Sequence, residues 1–513
     1  MVENPTLLVV VMLAALACFM YLGWLAGKKT SHSSADYMAA EGKMPFWLTT
    51  ATLLATYICG GTVMGGAGTA YASGLQATIP DPFAACLCLI AGGLLFQGII
   101  RKTGAISAAA VYQNRYGVSG AFVAGLCTIF PMLFFGGAQI AATAKLFQIV
   151  LGTPFVPIAI AAGAFVILYT AFGGITAVAW TDFVQVGLLV LGIVVLFPVT
   201  LAKLNTMGGA AAAVELMGPE FFSLKNTDWS LNGILTYLAL WVGASAGAMP
   251  GADIMQRGLV AKTPKVATWS AVAAGLIMTV IGVLVVLMGG WANVFAAKGV
   301  FNAQQLAMIA EDGELLIPLL ASRLLPNWFV AIFFVGLLGA IMSSADSALF
   351  APATIISNDI LRPLVHKKTG KPVEDGKLTL WTRLAVVGLG VVATLFGALT
   401  QSVFTLMVIG FTVQIVLFFP LLLALYWKKA NRAGGIAGML AGVLFCAVMM
   451  LSQGTIDAEP YWLLVFGPMA TSLIVQVVVS LATQKKDPPV PLSHRDGSAI
   501  KWPELGVNEF VEE

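Results

Sequence analysis

Long apolar runs separated by short polar segments dominate this chain. A helix that crosses about 30 Å of hydrocarbon needs roughly 20 apolar residues, and the sequence contains thirteen runs of about that length. They cover residues 5–27, 46–72, 79–100, 119–150, 155–172, 177–203, 231–256, 267–292, 327–360, 379–400, 403–427, 434–452 and 459–483. The pattern predicts an all-α polytopic membrane protein with about thirteen transmembrane helices, which we number as spans in chain order.

The composition places the chain outside the range of soluble domains. Hydrophobic residues make up 59% of it, charged residues make up 10%, and its mean hydropathy is +0.91. A formal net charge of +3 provides no strongly basic surface for nucleic acid. We therefore expect the lipid bilayer and small molecules as partners, and no nucleic acid.

Basic residues alternate between the two sides of the predicted spans. Most of the 27 Lys and Arg residues fall in the loops after the first, third, seventh, ninth and eleventh spans and in the C-terminal tail. Basic loops stay on the cytoplasmic side, so we expect an outside N-terminus and a cytoplasmic C-terminus in the plasma membrane, namely a bacterial inner membrane. Arg257 is assigned to one of these loops. Lys145 lies inside the fourth span and is expected to snorkel to the surface.

Two spans contain residues that interrupt helices. The second span has five glycines between residues 60 and 68, and the seventh span contains Pro250 and Gly251. Close packing through small residues is the alternative for the second span alone, but the pair favours two breaks. Because they lie five spans apart, they predict inverted five-helix repeats, spans two to six and seven to eleven, whose discontinuous helices meet at a binding site.

A cluster of polar residues lies in the middle of the ninth span, in the segment GAIMSSADSALF, residues 339–350. Helical spacing places four of its residues on one face: Ala340, Ser343, Ser344 and Ser347. Each serine alone could bond its own helix. Together with buried acids such as Asp346, however, the cluster indicates a functional site. Hydroxyl and carbonyl oxygens are typical ligands of hard cations, and sodium is the cation that they favour here.

Four segments resemble the sodium/solute symporter family, with motif spacing nearest to its choline-transporter-like members. They are SSADYMAAEGKMP (33–45), GGITAVAWTDFVQ (173–185), DIMQRGLVAK (253–262) and GAIMSSADSALFAPATIISNDI (339–360). The resemblance implies the leucine-transporter type of fold. It also implies sodium as the coupling ion, with no other cofactor.

The resemblance further implies two sets of sodium ligands. The first set comprises the carbonyls of Ala55, Ile58 and Ala340 and the hydroxyls of Ser343 and Ser344. A possible second set comprises Asp182, Ser343, Asp346 and Ser347, in which Asp346 stands where a serine would serve.

The resemblance gives a less definite solute site. Choline transporters hold a quaternary ammonium group in an aromatic cage; here Tyr57 and Phe135 occupy cage positions, but Gly251 replaces the expected tryptophan. Asp253 could pair with an amine of the solute, or it could serve as a gate or form a structural hydrogen bond to the second span. Gly61 and Thr62 replace the Glu and Gln of sugar-binding members, which argues against a sugar. The candidate solute residues are Thr56, Tyr57, Gly60, Gly61, Thr62, Phe135, Gln139, Gly251 and Asp253.

These observations predict a sodium-coupled symporter that imports a small polar solute, such as an amine, a zwitterion or a carboxylate. A solute sensor and a passive channel remain alternatives, whereas the sequence contains no HExxH motif and no cluster of histidines that would indicate an enzyme. The expected organisation is residues 1–45 (first helix and loop), 46–203 (first repeat), 204–230 (outer loop), 231–427 (second repeat), 428–484 (two further helices) and 485–513 (a flexible cytoplasmic tail).

Overall fold

The computed structural model describes residues 5–30, 38, 40–172, 175–226, 228–455, 459–494 and 496–500. Parts of the first two resemblance segments, residues 33–37, 39 and 173–174, lie outside the described residues. The same holds for residues 1–4 of the predicted outside N-terminus and for residues 495 and 501–513 of the predicted tail.

Helices occupy every predicted span. In order they are Pro5–Thr30; Phe46–Tyr57 with Gly61–Gly65 and Gly66–Ser73; Ile79–Ala84 with Ala85–Gly92, Gly93–Gln97 and Gly98–Thr103; Ala108–Leu151; Phe155–Phe172; Ile175–Asn205; Leu231–Ala248 with Ala252–Leu259; Pro264–Ala297; Asn327–Thr354 with Ile355–Leu361; Asp375–Thr400; Val403–Gln414 with Ile415–Leu417 and Phe418–Tyr426; Arg432–Gln453; and Tyr461–Thr483. Shorter helices cover Gly209–Met217, Ala303–Glu311, Leu316–Leu324 and Arg362–Thr369.

The all-α polytopic class is therefore confirmed. Within the described residues, 11 helices are long and apolar enough to cross a membrane. The pair Phe46–Tyr57 and Gly61–Ser73, bent by 53°, is a further candidate, and Phe155–Ala171 is a shorter apolar helix. The exact number of thirteen spans stays a prediction.

The second span breaks where its glycines cluster. Its first helix ends at Tyr57, and helical structure resumes at Gly61. A Cβ atom on Gly60 would lie 2.4 Å from Ala142 Cβ, and one on Gly61 would lie 2.4 Å from Met407 Sδ. These glycines therefore permit close packing of the break against the fourth and eleventh spans.

The seventh span breaks at its proline. One helix ends at Ala248 and the next begins at Ala252, with Gly251 at the N-cap. A Cβ atom on Gly247 would lie 2.2 Å from the carbonyl oxygen of Phe411, so this break also packs against the eleventh span. Both predicted discontinuities are present, and both approach the same neighbouring helix.

One end of the bundle, which we call the basic end, gathers the loops after the first, third and seventh spans. Arg101 Nε donates to the carbonyl of Ala261 at 2.5 Å and its Nη2 to that of Gly42 at 3.1 Å. The Lys262 amide donates to the Met44 carbonyl at 2.8 Å. Loops that the sequence placed on one side thus meet in space.

The described part of the C-terminal tail packs on the basic end, in contrast to the predicted flexible tail. Asn114 Nδ2 donates to the carbonyl of Ser493 at 2.8 Å, and the Ser493 amide donates to Asn114 Oδ1 at 2.9 Å. Arg115 also donates to the Val490 carbonyl, and Leu492 is only 2% exposed. The difference arises because backbone groups of this proline-rich segment find polar partners at the start of the fourth span.

The ninth span is the central helix of the bundle. Every residue from Gly336 to Thr354 is buried by protein, whereas apolar side chains such as Val280, Leu395 and Leu444 are exposed on the outside of the bundle, where lipid would cover them. The polar cluster of the ninth span therefore faces other helices and not lipid.

Candidate sodium and solute site

Ser344 connects the ninth span to the break in the second. Its Oγ lies 3.1 Å from the carbonyl oxygen of Ala55, 3.0 Å from that of Thr56 and 3.2 Å from that of Ala340. One hydroxyl proton can satisfy only one of three acceptors. Four oxygen atoms from two helices thus converge with too few protons, which is an arrangement that suits a monovalent cation.

The structure divides the first predicted sodium set. Ala55, Ala340 and Ser344 come together, and Thr56 adds a carbonyl that the sequence assigned to the solute site. Ser343 instead donates to Asp182 Oδ1 at 2.5 Å. Ile58 directly follows the helix Phe46–Tyr57, and its amide donates to the Leu54 carbonyl at 2.8 Å. The carbonyl of Ile58 is not among those that Ser344 contacts.

The second predicted set contains a basic residue that the sequence placed elsewhere. Arg257, assigned to a cytoplasmic loop, lies inside the bundle and is 1% exposed. Its Nη2 donates to Ser347 Oγ at 2.6 Å and lies 3.8 Å from Asp182 Oδ2. The assignment to a loop was wrong because the helix Ala252–Leu259 continues past the predicted end of the span and turns Arg257 inward.

Asp346 lies at the edge of this second set. Thr170 donates to its Oδ1 at 2.5 Å, while its Oδ2 is buried and has no hydrogen-bond partner among the described residues. Asp182, by contrast, accepts hydrogen bonds from Ser343 and from Thr52. The set therefore shares one region but forms no single ring of ligands.

Some of the predicted solute residues surround the break of the second span. Thr62 Oγ1 lies 2.9 Å from the Tyr57 carbonyl, and the Gly60 amide donates to Gln139 Oε1 at 3.3 Å. Thr56 Oγ1 donates to the Thr52 carbonyl at 2.8 Å. The bond between Gly60 and Gln139 joins the second and fourth spans where the helix is interrupted, and the other two contacts lie within the second span.

Other predicted solute residues lie at the break of the seventh span or contact the eleventh span. The ring of Phe135 lies 6.1 Å from that of Phe411. Asp253 stands in the first turn of the helix Ala252–Leu259, and a Cβ on Gly251 would lie 2.4 Å from its Oδ1. A carboxylate there stabilises the helix N-terminus, and a role of Asp253 as a solute ligand or a gate stays a prediction.

Asp81 is a buried acid at the start of the third span. It lies in the kinked segment Ile79–Ala84, is 1% exposed, and its Oδ1 and Oδ2 lie 3.0 and 2.9 Å from Thr62 Oγ1. The tripeptide Pro80-Asp81-Pro82 favours a kink, but nothing in it indicates that the carboxylate faces the second span.

A second charged cluster, which we call the outer cluster, joins Lys145, Asp312 and Glu314 at the end opposite the basic one. Lys145 Nζ lies 2.5 Å from Glu314 Oε2 and 2.6 Å from Asp312 Oδ2. Lys145 is 3% exposed, so the predicted snorkelling was wrong: two carboxylates hold it inside. The cluster lines a cavity of about 560 Å³.

The family model of the sodium:solute symporter family matches residues 37–442. The chain belongs to this family. As such it is a multi-pass membrane transporter, a sodium-coupled symporter and not an enzyme, which confirms the class of protein expected from its motifs.

Relatives named for different solutes resemble the chain to a similar degree. It is 26% identical to the sodium/glucose cotransporter of Vibrio parahaemolyticus over 90% of this chain and 87% of the relative. It is also 26% identical to the high-affinity choline transporter 1 of Caenorhabditis elegans (77% and 67%) and to the osmoregulated proline transporter OpuE of Bacillus subtilis (92% and 94%).

Solved structures show the fold. The chain is similar to a Na+-coupled sialic acid symporter, with a TM-score of 0.74, 19% identity and coverage of 93% of this chain and 98% of that one. It is also similar to a nucleobase-cation-symport-1 family transporter, with a TM-score of 0.59, 14% identity and coverage of 89% and 96%. These likenesses confirm the leucine-transporter type of fold.

Proposed function

We propose that this symporter imports a small polar organic solute by alternating access, driven by sodium that binds between the second and ninth spans. The ligands are drawn from Ala55, Ile58, Ala340, Ser343 and Ser344. The observation that carries the proposal is the convergence of three carbonyl oxygens on the single hydroxyl of Ser344.

Sodium at this position couples to the solute through the broken helix. The carbonyls of Ala55 and Thr56 lie directly before the break, and the candidate solute residues from Tyr57 to Thr62 lie within it. An ion that ties these carbonyls to Ser344 fixes the end of the helix, so it favours the arrangement that holds the solute. Each inward sodium ion contributes about 2.3 kcal/mol per 100 mV of membrane potential.

A second sodium ion belongs to the proposal as a separate element. Its candidate ligands are Asp182, Ser343, Asp346 and Ser347. The supporting observation is that Asp346 Oδ2 has no hydrogen-bond partner in the described part of the chain. Arg257 already compensates part of the negative charge of this region, so the second ion would bind between Asp346 and the serines.

We propose that the basic end faces the cytoplasm of a bacterial inner membrane. The meeting of Arg101 with the loops after the first and seventh spans supports one common side for these basic segments. In this orientation the outer cluster faces the medium from which the solute is taken up.

Uptake into proteoliposomes tests the proposal. Purified protein is reconstituted and given an inward sodium gradient, with an equal potassium gradient as control, and tested with choline, betaine, proline, other amino acids, pantothenate, short carboxylates and glucose. We expect at least one solute to accumulate above its outside concentration only with sodium. Equilibration without accumulation would instead indicate a passive channel, and sodium-dependent binding without transport would indicate a sensor.

A further inference from the structure

Asp81 differs from the other acids buried near the two breaks. Arg257 lies within electrostatic range of Asp182, Asp253 and Asp346, so each of these carboxylates has a positive neighbour. Among the described residues, no Lys, Arg or His side chain lies within ion-pair distance of Asp81, and its one hydrogen-bonding partner is Thr62. A carboxylate buried in this way is costly unless something else compensates its charge.

The Asp81 carboxylate faces the break of the second span. A Cβ atom on Gly61 would lie 3.4 Å from Asp81 Oδ2, so only a glycine hydrogen separates the carboxylate from the interrupted backbone. Pro80 and Pro82 flank Asp81 and carry no amide hydrogen that could satisfy it. The carboxylate is therefore placed at the candidate solute site and not at a local turn.

Hydrogen-bond acceptors outnumber donors around Asp81. The Thr62 hydroxyl has one proton but lies within 3.0 Å of the Tyr57 carbonyl and of both Asp81 oxygens. When Asp81 is ionised, at least two of these three acceptors therefore need a donor from elsewhere. A ligand with N–H groups and a positive charge would supply both the missing protons and the missing charge.

Gln139 provides a complementary donor on the other side of the glycine pair. A Cβ on Gly60 would lie 3.5 Å from Gln139 Oε1, which accepts the Gly60 amide. Gln139 is fully buried. Its Nε2 has no nitrogen or oxygen acceptor in the described structure, and the nearby Cys59 thiol is only a weak acceptor. A surplus carboxylate and a spare amide donor thus flank Gly60 and Gly61.

We propose that Asp81 binds a protonated primary or secondary amine of the transported solute, while Gln139 donates to an acceptor group a few bonds away on the same molecule. The inference rests on the proposed symport function and narrows its solute to an amino compound with N–H groups. Such a group forms a charge-assisted hydrogen bond to a carboxylate. A quaternary ammonium group cannot donate one and depends on aromatic faces, and Gly251 leaves that cage incomplete.

Matched pairs of solutes that differ only in N-methylation test the inference. The pairs are proline and proline betaine, β-alanine and its trimethyl betaine, and ethanolamine and choline. Binding is measured as a ligand-dependent rise in the melting temperature of the purified protein in sodium, and as competition for uptake. In at least one pair we expect the N–H member to give half-maximal stabilisation and half-maximal competition at a concentration about tenfold or more below that of its methylated partner.

Variants of Asp81 assign the effect to this residue. Asp81→Asn is expected to raise the amine concentration needed for half-maximal stabilisation by about tenfold or more, while stabilisation by sodium alone is unchanged. Asp359→Asn serves as control, because this carboxylate is also buried but accepts hydrogen bonds from Ser107 and Asn358. If Asp81→Asn does not fold, Asp81→Glu is used instead, because it keeps the negative charge but shifts its position. This variant is expected to weaken amine binding and to leave stabilisation by sodium unchanged.

The contrary outcomes are distinct. Equal or better binding of the methylated partners, no binding by any member of the pairs, or unchanged amine binding in the folded Asp81 variants would each overturn the inference. Failure of the symport proposal would appear elsewhere, as absence of sodium-driven accumulation, because the binding measurement requires no transport.

Discussion

The outer cluster and the polar region around Arg257 are both buried and charged, but they differ in whether their charged atoms have partners. In the outer cluster, Lys145 contacts both Asp312 and Glu314, and Glu314 also accepts the amides of Val403 and Phe404 at 3.1 and 2.9 Å. Around Arg257, Nε and Nη1 of the guanidinium have no partner among the described residues, and neither does one oxygen of Asp346.

The outer cluster is therefore a contact in which the protein supplies all partners. The region around Arg257 resembles a site that requires a bound ligand. A buried charge without a partner is costly, so a region in which one carboxylate oxygen has no partner among the described residues gains most from binding a cation. The outer cluster gains nothing comparable, because its carboxylates already have an ammonium group and helix amides. We interpret the outer cluster as a closure of the bundle and the Arg257 region as part of the transport site.

Replacement of Arg257 is expected to have the largest effect. Arg257→Gln leaves Asp182, Asp253 and Asp346 without their positive neighbour, and removing one partner of a buried pair costs about 3–5 kcal/mol. We expect loss of uptake and a lower free energy of unfolding in detergent, with partial recovery in Arg257→Lys. A glutamine variant of normal stability and transport would contradict the described pairing.

Separation of the outer pair is expected to have a smaller effect. In a double-mutant cycle of Lys145→Met and Glu314→Gln, we expect a coupling in the free energy of unfolding of up to about 3 kcal/mol, because each single change removes the same contact between Lys145 and Glu314. Stabilisation by sodium is expected to persist in all three variants. Additive effects of the two changes would show that the pair does not close the bundle.

Removal of the Ser344 hydroxyl is expected to act on sodium alone. Ser344→Ala deletes one of four converging oxygens, so the sodium concentration for half-maximal uptake should rise by about tenfold, or about 1.4 kcal/mol. Thr128→Val is the matched control, since the Thr128 hydroxyl is also buried but bonds only its own helix, at the Ala124 carbonyl. Unchanged sodium dependence in Ser344→Ala would contradict the first sodium site.

Neutralisation of Asp346 is expected to have the smallest effect on the fold. Asp346→Asn keeps an acceptor for Thr170 but removes the charge of the unpartnered oxygen. If a second sodium ion binds there, the ratio of sodium to solute, measured from parallel uptake of both, should fall by one ion. A ratio identical to that of the unchanged protein would eliminate the second site.

Several features could be predicted from the sequence because short stretches of chain determine them. Apolar runs specify the helices, Gly60, Gly61 and Pro250 specify the two breaks, and helical spacing specifies that Ser343, Ser344 and Ser347 share a face. Each of these depends on backbone preference or periodicity within one segment. The class of protein and the meeting of the second and ninth spans were implied instead by the resemblance of four segments to the sodium/solute symporter family.

Only the tertiary structure decided which polar groups meet. It turned Ser344 toward the second span and Ser343 toward Asp182, buried Arg257, and placed the Asp81 carboxylate against Gly61. These outcomes depend on the rotation of each helix about its axis and on contacts between residues far apart in the chain. A single sequence states which side chains a helix carries, but the packing of its neighbours determines which of them become partners.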